Sequence, residues 1–498
     1  MCEAKTLQYR GLLGGCNYSC PYCPFAKRRD SPSVLQADRE ALSGFVRRVG
    51  ELDRPVSILI TPYGEALVHP HYWDAMAALS RMPQVAAVGC QTNASFPLEW
   101  AEGFTAKGDP SKLRLWCSFH PGQTTVDAFT NTCLSLTALG IGISPGAVGA
   151  PKNLPQIQAL RQALPPADYL WINRMDGLRR PYTREEEKAF TAIDPLFPLE
   201  LAHPKSDSSR CTGGRSHFFI DGSGESRSCV ISRDNLGAWT GGQAHTPSCA
   251  SSRCWCYLAY CCREDIPLLR FMGQGRLFRR FEQRVPAVFL DVDGTLTDRA
   301  GQIPATHIHA VERMAQGGRP IMLATALPFE DARRRCRSIW RWIAGGAFSN
   351  GADLRHFGSG FHRVIPVDTG IPAALSSGRY RIYEAEGQPC KITLRSTRDE
   401  YGQIKPSLSH YHAVFEDGKI SLTHPRATKL SGIGSLCQAL SLDKAHCVVA
   451  GNGEGDAEMF SAFPLSVAVP GSDTPAVEAA ALSLSLERLS RIIAFCPI

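Results

Sequence analysis

Three cysteines near the start of the chain, Cys16, Cys20 and Cys23, are spaced so that their thiols can share one metal centre. Thiolate ligands favour zinc or iron–sulfur clusters. A zinc site usually takes four such ligands, whereas this loop supplies three. A four-iron cluster held by three thiolates keeps one iron open for a small molecule. The spacing of this first cysteine cluster therefore favours iron–sulfur chemistry over zinc.

A second group of cysteines lies in residues 205–265, a stretch that is rich in Gly, Ser and Cys and has little periodicity. A stretch of this composition needs cross-links or a bound metal to keep a stable fold. The letters FFIDGSGESRSC predict a β-hairpin turning at residues 221–224. Structural zinc stays open as an alternative here, because zinc accepts the same thiolates. The members of this second cysteine cluster are Cys211, Cys229, Cys249, Cys254, Cys256, Cys261 and Cys262.

Two carboxylates, Asp291 and Asp293, follow an apolar run in the letters AVFLDVDGTLTD. Residues two apart on a strand point to the same side of a sheet. Functional residues of parallel α/β folds lie at the carboxyl ends of their strands. The pattern predicts a second chemical site at such a strand end.

The 498 residues have an ordinary globular composition, with 44% hydrophobic and 20% charged residues. No run approaches the roughly 18 to 20 apolar residues of a membrane span, and the start opens no signal peptide. We therefore expect a cytoplasmic protein without a membrane partner. The net charge of +7 is a weak signal and accompanies no nucleic-acid recognition motif. In a reducing compartment, the nineteen cysteines indicate metal binding or catalysis rather than disulfide bonds.

Alternating strand-like and helix-like segments predict an α/β fold. The strand-like letters VSILITPYG, VAAVGCQTN and LRLWCSFHP are separated by helical stretches, a pattern of βα units around a parallel sheet or barrel. We predict a first domain at 1–204, a cysteine-rich domain at 205–265, a linker at 266–284 and a second α/β domain at 285–498. The last includes an inserted cap at about 345–425.

The first cysteine cluster and residues 7 to 200 resemble the radical S-adenosylmethionine (SAM) enzymes. The resemblance implies a partial (β/α) barrel, a [4Fe-4S] cluster on the first cysteine cluster, and SAM bound to its open iron. TPYGEAL stands where the family has a Gly-Gly-Glu element, with Tyr63 in place of the first glycine. The residues that the resemblance assigns to SAM are Tyr22 at the adenine, Gly64 and Glu65 at the methionine amino group, and Asn93 and Ser118 at inward strand ends.

The second cysteine cluster resembles the first half of the SPASM or twitch extension of these enzymes. This implies an auxiliary iron–sulfur cluster in a small cysteine-rich domain. The second half departs from the family spacing, and we therefore expect one auxiliary cluster rather than two. Its expected ligands are Cys211, Cys229 and Cys254, with Cys256 or Cys249 as the fourth.

Residues 286 to 498 resemble the haloacid dehalogenase superfamily. The resemblance implies a Rossmann-like domain with an inserted α+β cap of the Cof type and a phosphatase that uses Mg²⁺. Asp291 matches the nucleophile and Asp293 the acid and base. Thr325 in LATALP matches the phosphate-binding hydroxyl, and Lys429 matches the lysine that neutralises charge. In GNGEGDAEMF the usual first magnesium-binding aspartate is Asn452, which leaves Asp456 as the carboxylate.

Together these features predict a bifunctional enzyme. One half would cleave SAM reductively and abstract hydrogen from a small metabolite, with flavodoxin or ferredoxin as electron donor. The other half would hydrolyse a phosphorylated small molecule. One alternative is a peptide-modifying radical SAM maturase with a regulatory or inactive phosphatase-like domain. A non-enzyme alternative is a metal-stapled scaffold or sensor. The sequence disfavours this alternative, because it keeps both the Gly64-Glu65 pair and the Asp291/Asp293 pair.

Overall fold

The computed structural model describes residues 5–25, 29–239, 245, 247, 249–370, 380–416 and 418–498. Parts of the predicted cysteine-rich domain and of the predicted cap lie outside these ranges. The chain divides into two compact units, Met1–Glu282 and Gln283–Ile498. Within the described ranges, no helix combines the length and the apolar character that crossing a membrane requires.

The first unit is built on an eight-stranded sheet with the order β6-β5-β4-β3-β2-β1-β7-β8. All neighbours are parallel except β8, which is antiparallel to β7. Parallel strands with helices between them confirm the predicted α/β class, while the barrel stays a prediction. The strands are β1 Lys5–Arg10, β2 Val56–Ile60, β3 Val85–Thr92, β4 Leu113–Phe119, β5 Gly142–Val148, β6 Trp171–Asn173, β7 His217–Asp221 and β8 Ser226–Arg227.

Helices fill the connections between these strands. The first of them begins after Ser31, whose hydroxyl accepts the N–H of Val34, and has Pro32 in its first turn. Its buried residues are spaced by three and four positions, so that one face packs on the sheet. The helices are α1 Pro32–Gly50, α2 Pro70–Arg81, α3 Leu98–Lys107, α4 Val126–Ala138, α5 Leu154–Ala163, α6 Arg184–Ile193, α7 Phe197–Ala202 and α8 Tyr257–Tyr260.

The predicted cysteine-rich domain contributes two strands to this same sheet. The hairpin predicted at 221–224 is confirmed by β7 and β8, and β7 pairs with β1. The predicted linker 266–284 contains a 3₁₀ helix, Pro267–Phe278, whose apolar side chains are buried and pack against β2 and β4. Apolar burial therefore ties this stretch to the first unit, and the predicted boundaries inside that unit stay predictions.

The second unit has an eight-stranded sheet with the order β13-β12-β11-β10-β9-β18-β19-β20 and a separate four-stranded sheet with the order β14-β15-β17-β16. In the eight-stranded sheet, neighbours are parallel from β11 through β10, β9, β18 and β19 to β20, whereas β12 and β13 pair antiparallel. The four-stranded sheet is antiparallel throughout. The small sheet and its helix lie between β13 and β18 in sequence, within the range of the predicted cap, which stays a prediction. The predicted start at about 345 falls within β11, which together with β12 and β13 belongs to the larger sheet.

The elements of the second unit follow in chain order. Its strands are β9 Val288–Leu290, β10 Ile321–Ala324, β11 Ile343–Phe348, β12 Asp353–His356, β13 Phe361–Val364, β14 Tyr380–Ala385, β15 Gln388–Arg395, β16 His412–Glu416, β17 Lys419–Thr423, β18 Val448–Gly451, β19 Leu465–Ala468 and β20 Leu482–Ser483. Its helices are α9 Ala305–Gln316, α10 Phe329–Arg335, α11 Arg398–Ile404, α12 Lys429–Ala439, α13 Ala457–Ala462, α14 Thr474–Ala479 and α15 Leu486–Ile493.

Candidate active site

Three of the predicted residues follow directly on neighbouring strands of the second unit. Thr325 comes after β10, Asp291 after β9 and Asn452 after β18. Because β10, β9 and β18 are adjacent and parallel, their carboxyl ends meet at one edge of the sheet. The sheet therefore brings these three positions into one row, with Asp291 in the middle.

The carboxylate of Asp291 is buried and bonded on both oxygens. Its Oδ1 accepts a hydrogen bond from Lys429 Nζ at 2.8 Å, and its Oδ2 accepts one from Thr295 Oγ1 at 3.3 Å. Lys429 Nζ also lies 2.8 Å from Asp456 Oδ1. Burial alone would lower the pKa of Lys429, but the charges of Asp291 and Asp456 outweigh it and hold the pKa above its ordinary value. A fixed positive charge therefore stands beside the predicted nucleophile.

The side-chain amide of Asn452 lies against the other side of Asp291. One atom of this amide lies 2.8 Å from Thr295 Oγ1. The same amide atom is 3.2 Å from Asp291 Oδ2 and 2.8 Å from the backbone oxygen of Asp293. When the amide is turned so that its nitrogen occupies this position, the nitrogen donates to the oxygens of Thr295, Asp291 and Asp293. In that orientation, which satisfies the hydrogen bonds of this group, the amide nitrogen of Asn452 faces the Asp291 carboxylate and the Asp293 carbonyl. Mg²⁺ takes oxygen ligands, so the amide would have to turn its oxygen inward to bind the ion, and Asn452 as a magnesium ligand stays a prediction.

Asp456 has other partners than this group of oxygens. Its Oδ1 bonds Lys429, and its Oδ2 accepts the backbone N–H groups of Asn452 at 2.9 Å and Gly453 at 3.1 Å. Gly451 is required here, since a Cβ on it would lie 2.4 Å from the Asp456 carboxylate. The structure places Asp456 where it positions the lysine and the loop after β18. Its prediction as a direct magnesium ligand stays a prediction.

The remaining two predicted residues differ in their surroundings. The Asp293 side chain forms an ion pair with Arg335 at 2.8 Å, and both side chains are partly exposed. Thr325 is buried, and its hydroxyl accepts the N–H of Leu327 at 3.1 Å. The sequence reading missed Thr295 and Arg335. Thr295 could have been found, because it stands in the same DVDGT letters as Asp291, whereas no local signal links Arg335 to Asp293.

Replacing Asn452 by aspartate is expected to strengthen magnesium binding. The change puts a second carboxylate beside Asp291, and a hard cation gains more from a charged oxygen than from a neutral one. We expect the dissociation constant for Mg²⁺ to fall by about tenfold, as measured by isothermal titration calorimetry. Asn452→Ser, which offers a neutral oxygen on a shorter side chain, is the comparison. Equal or weaker binding by Asn452→Asp would contradict this assignment.

In the first unit, Gly64 and Glu65 follow β2. A Cβ on Gly64 would lie 1.7 Å from the carbonyl oxygen of Gly15, and the Glu65 N–H donates to that same oxygen at 3.0 Å. The Glu65 carboxylate is buried and accepts hydrogen bonds from Thr92 Oγ1 at 2.7 Å and from the Asn93 N–H at 2.5 Å. Only glycine fits at 64, and this contact ties the strand end to the residue before Cys16.

Two aspartates hold the loop that carries the first cysteine cluster. Asp38 accepts the N–H groups of Leu12 and Leu13, and Asp30 accepts those of Gly14 and Gly15. Within this cluster the middle thiol is buried and the other two are partly exposed. Among the described residues, no group of three or more His, Cys, Asp or Glu side chains is gathered closely enough to hold a metal. The cluster on this loop therefore stays a prediction.

Tyr22, Asn93 and Ser118 lie at the same edge of the first sheet. Tyr22 Oη is 3.0 Å from His120 Nδ1, with the two rings stacked at 6.0 Å. Burial lowers the pKa of His120 to about 4, so that its imidazole is neutral near pH 7. Asn93 Nδ2 donates to Asn17 Oδ1 at 2.9 Å, and Ser118 is partly buried in β4. These contacts join the loop to the ends of β3 and β4.

Glu65 is expected to make the stability of the first unit depend on pH. Burial raises its pKa from 4.5 to about 7, against the opposing hydrogen bonds of Asn93 and Thr92. A group with a raised folded-state pKa contributes stability that is present below the unfolded pKa and is lost as pH rises through about 7. Between pH 4.5 and 8, the unfolding free energy of the wild type should fall by about 3 kcal/mol relative to Glu65→Gln. Urea denaturation at a series of pH values measures this, and parallel curves would refute it.

Four members of the second cysteine cluster line one cavity. They are Cys211, Cys229, Cys249 and Cys254, whereas Cys256 is not among the described residues that line it. Arg263 also lines the cavity, with its Nη1 at 3.6 Å from Cys254 Sγ. The Cys211 and Cys262 thiols are 3.5 Å apart, and the hydrogen bond between them lowers the pKa of Cys211. These thiols share one cavity but are not gathered closely enough, in the part of the chain that the structure describes, to hold a metal, so the auxiliary cluster stays a prediction.

Comparison with known proteins concerns the second unit. The family model of haloacid dehalogenase-like hydrolases matches residues 288–354 and 377–485. The phosphoglycolate phosphatase of Methanothermobacter thermautotrophicus is 24% identical over 195 residues, which are 38% of this chain and 86% of that protein.

Two solved structures are also similar to part of the chain. A HAD/Cof-like hydrolase from Plasmodium vivax is 16% identical with a TM-score of 0.39, covering 42% of this chain and 96% of that one. A haloacid dehalogenase-like hydrolase from Bacteroides thetaiotaomicron is 14% identical with a TM-score of 0.36, covering 42% of this chain and 98% of that one. On the family match, the C-terminal part of the chain, residues 288–485, is a haloacid dehalogenase-like hydrolase domain.

Proposed function

We propose that the second unit hydrolyses phosphate monoesters through Asp291. The observation that carries this proposal is the surrounding of that carboxylate, which has Lys429 Nζ on one oxygen and the Thr295 hydroxyl and the Asn452 amide beside the other. A carboxylate oxygen can attack phosphorus only if the charge of the phosphoryl group is offset. Lys429 supplies one positive charge for this, and a bound Mg²⁺ would supply the other.

Residues of this chain would hydrolyse the phosphate ester in two steps. Asp291 Oδ attacks phosphorus, the bond to the alcohol oxygen breaks, and the leaving oxygen takes a proton from Asp293. Water then attacks the aspartyl phosphate and gives its proton to Asp293, which releases phosphate and restores Asp291. Thr325 would bind a phosphoryl oxygen.

The test is the release of inorganic phosphate from a panel of small phosphate esters in the presence of Mg²⁺. The panel includes 2-phosphoglycolate, because the relative from Methanothermobacter thermautotrophicus is named for that ester. We expect turnover of at least one ester that depends on Asp291. If none is hydrolysed at high Mg²⁺, the domain is a binding or regulatory module, as in the maturase alternative.

For the first unit we propose radical SAM chemistry. The supporting observation is that the loop of the first cysteine cluster is bonded at Gly15 to the backbone of Glu65, at the edge where the strands end. Cys16, Cys20 and Cys23 would hold a [4Fe-4S] cluster. When SAM is bound, this cluster would supply the electron for the reductive cleavage of SAM to methionine and a 5′-deoxyadenosyl radical. The buried carboxylate of Glu65 would accept the methionine ammonium, and Tyr22 would pack on the adenine.

The substrate and partners of the first unit follow from this proposal. The chemistry that bound SAM would supply is removal of a hydrogen atom from a carbon of a small metabolite, with 5′-deoxyadenosine as the product. The electron would come from a small redox protein such as flavodoxin or ferredoxin. Anaerobic reconstitution with iron and sulfide, followed by dithionite and SAM, tests this by the appearance of 5′-deoxyadenosine. If neither unit turns over, the metal-stapled scaffold is the better description.

The cavity of the second cysteine cluster is proposed to hold an auxiliary iron–sulfur cluster. Its lining favours Cys249 over Cys256 as the fourth ligand beside Cys211, Cys229 and Cys254. Protein isolated without air should then contain about eight irons per chain, if both sites hold four-iron clusters. Elemental analysis measures this. About four irons with one tightly bound zinc would instead identify the second site as structural zinc.

A further inference from the structure

The turn that follows β11 contains two consecutive residues with a strained backbone. Ser349 has φ 51° and Asn350 has φ 54°, in the left-handed region that few residues other than glycine adopt. Among the described residues, no other two consecutive non-glycine residues both have a positive φ. Such strain persists only where the surrounding structure imposes it, and it is concentrated at functional sites. The neighbours of this turn must therefore hold it in place.

Two parts of the candidate active site hold this turn. The N–H of Asn350 donates to the carbonyl of Thr325 at 3.0 Å. Gly351 packs on the start of α12, since a Cβ on it would collide with the carbonyl oxygen of Thr428. Thr428 directly precedes Lys429. The backbone of the turn is thus held between the loop that carries the predicted phosphate-binding hydroxyl and the helix that carries the active-site lysine.

The side-chain amide of Asn350 is buried, but its nitrogen lacks an acceptor. The residue is 4% exposed, and in the part of the chain that the structure describes its Nδ2 has no hydrogen-bond partner. A buried N–H donor without an acceptor lowers the stability of the fold, and a ligand oxygen beside it removes that cost. Asn350 therefore lowers stability twice, through its backbone and through its amide, which makes it a candidate for binding a ligand.

A phosphoryl group on Asp291 would lie within reach of this amide. Asp291 follows β9 and the turn follows β11, with β10 between these two strands. Neighbouring strands are about 4.8 Å apart, so the two positions are separated by roughly 10 Å across the sheet. An aspartate and an asparagine side chain, with a phosphoryl group between them, span a gap of this size. The carboxyl ends of the three parallel strands meet at one edge of the sheet.

We propose that the side-chain amide of Asn350 donates a hydrogen bond to a phosphoryl oxygen of the substrate, beside the hydroxyl of Thr325. This inference rests on the proposed phosphatase function of the second unit. The charge of a phosphoryl group in transfer is spread over its three non-bridging oxygens, and donors that already face those oxygens stabilise it. The strained turn fixes the amide before the ester binds, so that little ordering is needed during the reaction.

The first experiment compares kcat/KM of the wild type and Asn350→Gly with the best ester of the panel at saturating Mg²⁺. Glycine adopts the left-handed backbone freely but lacks the amide, so kcat/KM should fall about 100-fold. Ser349→Gly makes the same change at the neighbouring left-handed residue and should stay within about threefold of the wild type. An equal loss in both variants would show that the backbone of the turn matters rather than the amide, and would overturn the proposal.

A second variant covers the case in which Asn350→Gly fails to fold. Asn350→Asp keeps the size of the side chain and tolerates the left-handed backbone, but it replaces the donor nitrogen by an acceptor oxygen. Its kcat/KM should fall at least as far as that of the glycine variant, because a carboxylate repels the phosphoryl oxygens. Circular dichroism shows which variants are folded. Wild-type kcat/KM in either folded variant would remove Asn350 from the site.

Binding of inorganic phosphate separates this inference from the proposed function. In the presence of Mg²⁺, isothermal titration calorimetry should give a dissociation constant for phosphate that is about tenfold higher for Asn350→Gly than for the wild type or Ser349→Gly. If no ester is hydrolysed in a way that depends on Asp291, the phosphatase fails, and the binding of phosphate still tests Asn350. If the wild type binds no phosphate, or if Asn350→Gly binds it equally well, the amide is not a phosphoryl donor, whereas hydrolysis that depends on Asp291 leaves the phosphatase standing.

Discussion

Replacing Asp291 by asparagine is expected to lower phosphate release from small esters on the order of 10⁴-fold or more. The variant keeps the shape of the side chain but replaces the carboxylate by an amide, which is a far weaker nucleophile towards phosphorus. It also removes one of the two negative charges that Lys429 contacts. The measurement is steady-state release of inorganic phosphate under saturating Mg²⁺, with the best ester of the panel.

The control for this change is Asp399→Asn, which neutralises an exposed carboxylate at the start of α11 in the cap. It should retain wild-type turnover, because that side chain lies on the surface. Circular dichroism and thermal unfolding of both variants show whether the fold is kept. A folded Asp291→Asn variant that retains more than about a tenth of the activity would remove Asp291 from the role of nucleophile.

The combined change of Cys16, Cys20 and Cys23 to alanine is expected to abolish formation of 5′-deoxyadenosine. Alanine offers no ligand to iron, so the variant lacks the cluster that would bind SAM and supply the electron for its cleavage. Four members of the second cysteine cluster line a separate cavity, so the metal proposed to bind there should be retained. Anaerobic reaction with dithionite and SAM, followed by chromatography of the nucleoside products, measures the loss.

Metal content gives this test a readout besides activity. The triple variant should hold about four fewer irons per chain than the wild type. Cys133→Ala, a change of a buried thiol on α4, is the matched control and should alter neither iron content nor product. Continued reductive cleavage of SAM by the triple variant would show that this loop does not hold the cluster.

Several features of the chain follow from its sequence alone, because each of them is local. Apolar runs that end in polar residues predicted β2, β3 and β4, and the letters around 221–224 predicted the hairpin of β7 and β8. The DVDGT letters placed Asp291 at a strand end, and the family match over the second unit supports that reading. Strand period and turn chemistry act over a few residues, and they are therefore visible in a short window of letters.

The partners of these residues were decided by tertiary structure. Arg335 pairs with Asp293 from 42 residues away, and Lys391 meets Ala326 across 65 residues. Asp456, predicted as a magnesium ligand, contacts Lys429 across 27 residues, and the sequence did not predict that contact. Such contacts depend on which strands become neighbours and on which side chains fill the space between them. No local sequence pattern determines these contacts, because they depend on how the whole core packs.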